Sequence, residues 1–178
     1  MTVVIGLDLS LTATGYARID GPTATVGTIR STGHKGDTLA QRVQRIRRLA
    51  ADILAHIDDP DLVVIEAPAF SSTTGSVWDR AGLWHQVVDH LDIHGHPYVE
   101  IAPTRVKKFA TGKGNADKTA VAAGMTRMWP NVEPGNDNEF DALALASLGT
   151  IHLGGDTFDV LARHREVVDA IDWPEVAA

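Results

Sequence analysis

The stretch Val3-Val4-Ile5-Gly6-Leu7-Asp8-Leu9 is an apolar run that contains a single charged residue, Asp8. An apolar run of this length is typical of a strand buried inside a sheet. A carboxylate in such a strand is costly to bury unless it is paired or binds a metal ion. Asp8 is therefore the first candidate for a functional side chain.

The segments that follow this strand predict a sheet with crossover helices. Further strands are expected at Tyr16–Ile19, Ala24–Arg30, Leu62–Glu66 and Tyr98–Ile101. Helices are expected from Thr38 to Pro60, and at Asp79–Ile93, Asp117–Met128, Glu139–Leu153 and Val160–Ile171. Hairpins followed by crossover helices imply an α/β protein with a mixed five-stranded sheet covered by helices on both faces. This is the pattern of an RNase H-like fold.

Composition limits the class of protein. The 178 residues fit one domain, and 44% hydrophobic and 22% charged residues are ordinary for a globular protein. The absence of cysteine excludes disulfides, thiolate metal sites and a cysteine nucleophile. No apolar run reaches the roughly 20 residues of a membrane span. The amino terminus lacks the features of a signal peptide, so we expect a cytoplasmic protein.

Charge is distributed unevenly along a chain whose net charge is −7. The segment from Ile101 to Arg127 carries a net charge of +5, whereas the segment from His152 to Ala178 carries −4. A basic middle and an acidic end predict a polyanion-binding surface on one side of the molecule. We divide the chain into a main domain, residues 1–155, and an acidic tail or short helix, residues 156–178.

Two more carboxylates stand at places where α/β proteins put their chemistry. Glu66 closes an apolar strand, and Asp141 precedes an apolar helix on which Asp137, Asn138 and Asp141 share one face. Clustered carboxylates raise one another's pKa unless a cation neutralises them. Oxygen donors without cysteine favour Mg²⁺, with Mn²⁺ as a substitute, and two ions about 3.5–4 Å apart would suit phosphodiester hydrolysis. Singly, each acid is more often a cap or a turn former, so the three are interpreted jointly.

Four motifs in order resemble the RuvC family of Holliday-junction resolvases. They are Ile5-Gly6-Leu7-Asp8 with Thr14-Gly15-Tyr16, then Val64-Ile65-Glu66, then Gly112–Lys118, then Asn138–Ala146. The resemblance implies a metal-dependent endodeoxyribonuclease that cuts branched DNA as a homodimer, with Asp8, Glu66 and Asp141 as catalytic metal ligands. The composition, low in lysine and rich in Ala, Asp and Arg, suggests a GC-rich bacterial or bacteriophage genome.

The chain departs from the family at one metal-binding position. RuvC enzymes usually carry Asp or His three residues before the last Asp, where this chain has Asn138. Either Asn138 binds metal through its carbonyl oxygen, or Asp137 substitutes from the preceding position. The sequence leaves both alternatives open.

The resemblance also places the DNA beside the basic segment. The candidate phosphate-binding residues are Arg105, Lys107, Lys108, Lys113 and Lys118. Lys118 at a helix start is ill-matched to the helix dipole unless a phosphate lies there, so it is also a catalytic candidate. Phe70 is a candidate wedge that stacks on unpaired bases. Trp78, Trp129 and Trp173 are interpreted as packing residues, and the Asp79–Ile93 helix as the dimer contact.

Other functions compete with this interpretation. The loop Gly6–Thr12 resembles the first phosphate loop of actin-like sugar kinases and ATPases, but those proteins close two such domains around a nucleotide. A non-catalytic DNA-binding relative would not need all three acids. Within the nuclease class, flaps, replication forks and structured RNA are alternative substrates.

Overall fold

A mixed five-stranded sheet forms the centre of the molecule in the computed structural model, which describes residues 2–68 and 76–176. The strands are β1 (Val3–Asp8), β2 (Ala13–Asp20), β3 (Thr23–Arg30), β4 (Leu62–Glu66) and β5 (Tyr98–Ile101). Their order across the sheet is β3-β2-β1-β4-β5. The first three strands are antiparallel neighbours, whereas β4 is parallel to both β1 and β5. The predicted mixed sheet is confirmed.

Helices cover both faces of this sheet. They are α1 (Leu39–Leu54), α2 (Val77–Ile93), α3 (Pro103–Thr111), α4 (Lys118–Met128), α5 (Asp137–His152) and α6 (Ala162–Asp169). Helices α1 and α2 pack with Ile5, Leu7 and Ile65 on one face. The other four pack around Val4 and Val64 on the opposite face, where α5 is buried along most of its length. No helix in the described ranges is long and apolar enough to cross a membrane.

The apolar face predicted after Thr38 is only partly buried. Thr38 caps α1 through a capping box with Gln41, as a threonine at a helix start favours. Buried residues begin only at Leu49, while Leu39 and Val43 remain 69% and 38% exposed. Helical periodicity therefore identified the correct face, but the first two turns of that face lie beyond the edge of the core.

Helix α3 was absent from the sequence-based prediction. Its boundary signals are Pro103 at the first helical turn and Gly112, which ends the helix with φ at 84°. Only Val106, Phe109 and Ala110 are buried in it, so a nine-residue helix offers a weak apolar pattern. The omission matters because α3 carries Arg105 and both lysines that follow it.

The segment after residue 155 packs against the main core. Phe158, Val167 and Ile171 belong to the same hydrophobic cluster as α5. The side chain of Arg105 on α3 donates to the backbone carbonyl of Ala170. Helix α6 therefore covers α3 and the end of α5, and its acidic residues lie on the outer side of that layer.

Candidate active site

Asp8 and Glu66 lie side by side at one edge of the sheet. Leu7 pairs with Ile65 in the parallel β1–β4 ladder, so the next residue of each strand is one of these acids. Parallel strands end at the same edge, which is why the sequence brings the two carboxyl groups together. Their side chains are hydrogen-bonded to each other.

The pKa values of both acids are raised. Burial, followed by the negative charges of Asp8 and Asp141, raises the pKa of Glu66 to about 9. Burial also raises the pKa of Asp8, although the hydrogen bond from Glu66 opposes that change. Two carboxylates in contact cannot both ionise without a neutralising cation. The raised pKa of Glu66 therefore favours its protonated form at neutral pH.

Asp141 reaches the same edge because α5 approaches the sheet very closely. A methyl group on Gly6 would overlap the carbonyl oxygen of Ala142, and one on Gly15 would overlap that of Asn138. Glycine at these two positions removes the side chain that would hold the helix away. Burial and then the charge of Asp8 raise the pKa of Asp141 to about 6.

The three acids open into a cavity of about 260 Å³ that also contains lysines. Lys107 from α3 and Lys118 from α4 line it together with Asp137 and Asn138. The charge of Lys107 partly opposes the rise in the pKa of Glu66 and of Asp141. The charge of Lys118 partly opposes the rise in the pKa of Asp8 and of Asp141. Cations therefore face the acids across the cavity, an arrangement suited to a phosphate bound between them.

Asp137 and Asn138 have different partners. The carboxylate of Asp137 forms an ion pair with the ammonium of Lys118, and this contact is the main cause of the lowered pKa of Asp137. The Nδ2 of Asn138 donates to the carbonyl oxygen of Ala13 at 2.6 Å. No donor among the residues that the structure describes bonds to the side-chain carbonyl oxygen of Asn138, and Asn138 lines the cavity.

The donor set of this cavity fits a hard divalent cation. Carboxylate and amide oxygens without sulfur or imidazole are the ligands of Mg²⁺ and Mn²⁺. The raised pKa values of Asp8 and Glu66 reflect burial and neighbouring negative charge, which a bound cation would neutralise. Within residues 2–68 and 76–176, no three His, Asp or Glu side chains converge in a ready-made metal-binding arrangement. Asp8 and Glu66 instead contact each other, and Asp137 contacts Lys118.

A larger groove of about 1000 Å³ continues from the acids. It shares Asp8, Glu66 and Asn138 with the smaller cavity and extends past Arg105 to Asp172. Of the predicted phosphate-binding residues, Lys107 and Lys118 line the cavity and Arg105 lines the groove. Lys108 and Lys113 are exposed and line neither. Phe70 lies outside the described residues.

The structure corrects one sequence-based assignment and adds a group that the sequence analysis missed. Trp78 is 83% exposed, so its interpretation as a packing residue is wrong, whereas Trp129 is buried and Trp173 packs against the core. The missed group is the buried carboxylate of Glu139 with its partners Thr28 and Asn136. The spacing Asn136-x-x-Glu139, typical of a helix start, was the available signal.

Comparison with known proteins gives one consistent family. Residues 4–148 match the family model "Crossover junction endodeoxyribonuclease RuvC". A relative with that name from Erythrobacter litoralis is 30% identical over 82% of this chain and 91% of its own. Another from Corynebacterium diphtheriae is 33% identical over 78% of this chain and 83% of its own.

Solved structures show the same fold at lower identity. RuvC from Thermus thermophilus superposes with a TM-score of 0.69 at 21% identity, over 86% of this chain and 97% of its own. The same protein in complex with a Holliday junction substrate gives 0.68. A fowlpox virus resolvase bound to Holliday junction DNA gives 0.53 at 14% identity, over 84% and 99% of the two chains. At these identities the likeness concerns the fold.

Proposed function

The chain belongs to the RuvC family of crossover junction endodeoxyribonucleases, and from this membership we propose how its own residues cleave a four-way DNA junction. The observation that carries the proposal is the meeting of Asp8, Glu66 and Asp141 in one cavity with Lys107 and Lys118. Acids that bind cations and lysines that bind phosphate are the two requirements of phosphodiester hydrolysis. Both are satisfied at a single edge of the sheet.

The acids would hold the divalent cations on which the family depends, Mg²⁺ with Mn²⁺ as a substitute, in a site for two ions. Bound there, the cations would supply an activated water and a Lewis acid for the leaving oxygen. Asp8, Glu66 and Asp141 provide the carboxylate oxygens. A bound cation would favour the ionised form of Glu66, whose pKa is raised to about 9 without one.

Asn138 is the better candidate than Asp137 for the fourth metal ligand. Its amide nitrogen is fixed to Ala13, so the carbonyl oxygen is held in place on the cavity wall. Asp137 is instead engaged by Lys118. We assign Asn138 the role of a neutral ligand, and Asp137 the role of orienting Lys118 toward the scissile phosphate.

The DNA would follow the basic residues of α3 and α4. Lys107 and Lys118 lie beside the acids, and Arg105 borders the groove that leaves them. Exposed Lys108 and Lys113 extend the same basic segment at its surface. These five residues form the proposed phosphate-binding surface. Phe70, four residues after Glu66 in the sequence, remains a candidate for base stacking.

The protein would act as a homodimer through the layer of α1 and α2. Among the described residues, six large hydrophobic side chains are exposed, and five of them lie on these two helices. They are Leu39, Val43, Val77, Trp78 and Ile93. A two-fold symmetric junction needs paired cuts, which an isologous dimer delivers with a single self-complementary patch. We expect this dimer to act in the cytoplasm of a bacterial cell, where recombining DNA is found.

A cleavage assay on matched substrates tests the proposal. Four-way, three-way, flap and linear duplex DNA of the same sequence are incubated with the protein in Mg²⁺. We expect paired, symmetric cuts in the four-way junction and at least tenfold slower cleavage of the others. Asp8→Asn, Glu66→Gln and Asp141→Asn should each lose several orders of magnitude in rate while still binding the junction, because a missing ligand misplaces the reacting groups. Wild-type rates in Asp8→Asn, or equal cutting of linear DNA, would contradict the proposal.

A further inference from the structure

We propose that Glu139 is a positioning residue for the metal-binding acids, because it fastens the first turn of α5 to the edge strand β3. The inference rests on the proposed function, since it concerns how Asn138 and Asp141 are kept in place opposite Asp8. It assigns a role to a buried carboxylate that does not line the cavity containing the acids.

The carboxylate of Glu139 is buried, and both of its oxygens accept hydrogen bonds. The residue is 9% exposed. The Oγ1 of Thr28 and the Nδ2 of Asn136 donate to its Oε1 at 2.5 and 2.9 Å, and the backbone N–H of Gly135 donates to its Oε2 at 2.7 Å. A buried carboxylate is retained only where such donors replace its lost water. We call Thr28, Asn136 and Glu139 the Glu139 clamp.

The Glu139 clamp connects two elements that are far apart in the sequence. Asn136 caps α5, and its side chain accepts a hydrogen bond from the backbone N–H of Glu139. Thr28 belongs to β3, and its contact with Glu139 joins residues 111 positions apart. A helix cap needs only the first of these contacts. The second ties the helix start to the sheet.

That tie lies in the same row of the sheet as the catalytic acids. Across the antiparallel strands, Thr28 pairs with Gly15 and Gly15 pairs with Asp8. The first turn of α5 runs over this row, with Glu139 bonded to Thr28 and the backbone of Asn138 against Gly15. Asp141, one turn after Asp137, then comes near Asp8 at the inner end of the row.

The Glu139 clamp would counteract electrostatic repulsion between the acids. Asp8 and Asp141 are acids of like charge, and the start of α5 brings Asp141 close to Asp8. Without a cation, this repulsion would favour a displacement of the helix start away from β1. The Glu139 clamp opposes that displacement from the far side of the turn, so the ligands stay close enough for a cation to bind. Outer groups that orient metal ligands typically change metal affinity 10–100-fold.

Direct measurement of Mn²⁺ binding tests the inference without DNA or cleavage. The full chain and its variants are titrated with Mn²⁺ by calorimetry, and hydrogen exchange is followed over residues 137–141. We expect Thr28→Val and Glu139→Ala to weaken Mn²⁺ binding about tenfold and to speed exchange in that turn. Thr28→Ser keeps the hydroxyl and should bind Mn²⁺ like wild type. If Glu139→Ala does not fold, Thr28→Val and Glu139→Gln decide the question.

Ser147→Ala provides the matched control. Ser147 is buried on the same helix and accepts a hydrogen bond from the Nε1 of Trp129, far along α5 from the acids. It should lower the melting temperature and leave Mn²⁺ affinity unchanged. Wild-type Mn²⁺ affinity in folded Thr28→Val would overturn this inference alone. A wild-type protein that binds Mn²⁺ no better than Asp8→Asn would contradict the proposed metal site, and the inference with it.

Discussion

At the scale of single residues, Asp137 and Asn138 show how adjacent side chains can take separate roles. One forms an ion pair with Lys118 and the other donates to the backbone of β2. Position 138 is neutral in this chain, and the carboxylate of the preceding residue, Asp137, faces a lysine. In the proposed ligand role, the neutral Asn138 would give a weaker metal site than a carboxylate at the same position.

This division of roles predicts different kinetic effects for the two substitutions. Asn138→Ala should raise the Mn²⁺ concentration needed for half-maximal cleavage, and Asn138→Asp should lower it. Asp137→Ala should leave that concentration unchanged and slow cleavage through Lys118. The rate losses of Asp137→Ala and Lys118→Ala should therefore be non-additive in a double-mutant cycle. A larger metal requirement in Asp137→Ala than in Asn138→Ala would assign the ligand role to the carboxylate.

His164 predicts a loss of stability in acid. It is 2% exposed and packs on Phe109, and burial followed by the charge of Arg163 lowers its pKa from 6.5 to about 4. Between these two values the unfolded chain takes up a proton that the folded protein does not. The free energy of unfolding should therefore fall as pH falls from about 6.5 to 4, by up to about 3 kcal/mol.

Thermal melts across that pH range check this prediction. His164→Asn replaces the Nδ1 acceptor that receives the backbone N–H of Leu161 and cannot be protonated. Its melting temperature should depend less on pH than that of wild type. His34→Asn, at an exposed position, should follow the wild-type curve. Identical slopes for wild type and His164→Asn would contradict the assignment.

At the scale of elements, the close approach of α5 to the sheet determines the position of Asp141. Gly15→Ala would place a methyl group on the backbone of Asn138, so the first turn of α5 must shift. We expect a loss of cleavage of at least 100-fold, because about 1 Å of misplacement is sufficient for such a loss. Single-turnover rates at saturating Mg²⁺ measure it.

Gly27→Ala is the control for this substitution. Its methyl group would meet the ring of Tyr16, which packs on the α1–α2 side of the sheet, away from α5. It should lower the melting temperature and keep the cleavage rate per folded molecule. Equal losses of activity in both variants would mean that glycine at position 15 serves general stability and not the placement of α5.

The same elements show what the sequence could and could not predict. The strand Leu62–Glu66 and five of the six helices of the described residues followed from apolar runs and their breakers. Asp8 and Glu66 were found because charge at the end of an apolar strand is unusual, and Asp141 because it precedes an apolar helix. Helix α3 was missed because only three of its residues are buried. Glu139 was missed because its partner Thr28 comes from a distant strand, and no local pattern reports a contact of that kind.

At the scale of the whole molecule, five exposed hydrophobic residues on the α1–α2 layer predict a dimer. Sedimentation velocity at micromolar concentration should show a dimer for wild type. Trp78→Asp should shift it toward monomer and uncouple the two cuts, since burying a charge in an apolar contact is unfavourable. Leu161→Asp alters a hydrophobic residue that is 45% exposed on the opposite layer, and should remain dimeric. A monomer that makes paired cuts at full rate would contradict the predicted dimer.

We expect the electrostatic field of the whole molecule to determine its affinity for DNA. If four to six basic residues of the 101–127 segment meet phosphates, log K against log salt should fall with a slope of roughly −4 to −5. Affinity for the junction should then drop a few hundredfold between about 50 and 200 mM salt. Lys118→Ala should flatten the slope by about one unit. It should also slow cleavage beyond its effect on binding, because Lys118 faces the acids across the cavity. A slope near zero would indicate that the DNA binds another face of the protein.

The acidic end of the chain should act in the opposite direction within the same titration. Asp172 borders the groove together with Arg105, whose guanidinium is held by the carbonyl of Ala170. A carboxylate there repels phosphates that enter the groove, so Asp172→Asn should strengthen binding to both junction and linear DNA by a few-fold at low salt. Removing residues after Gly155 is a poorer test, because Phe158 and Val167 would leave the core. Unchanged binding in Asp172→Asn, with Lys118→Ala behaving as expected, would mean that the DNA leaves the active site before it reaches the tail.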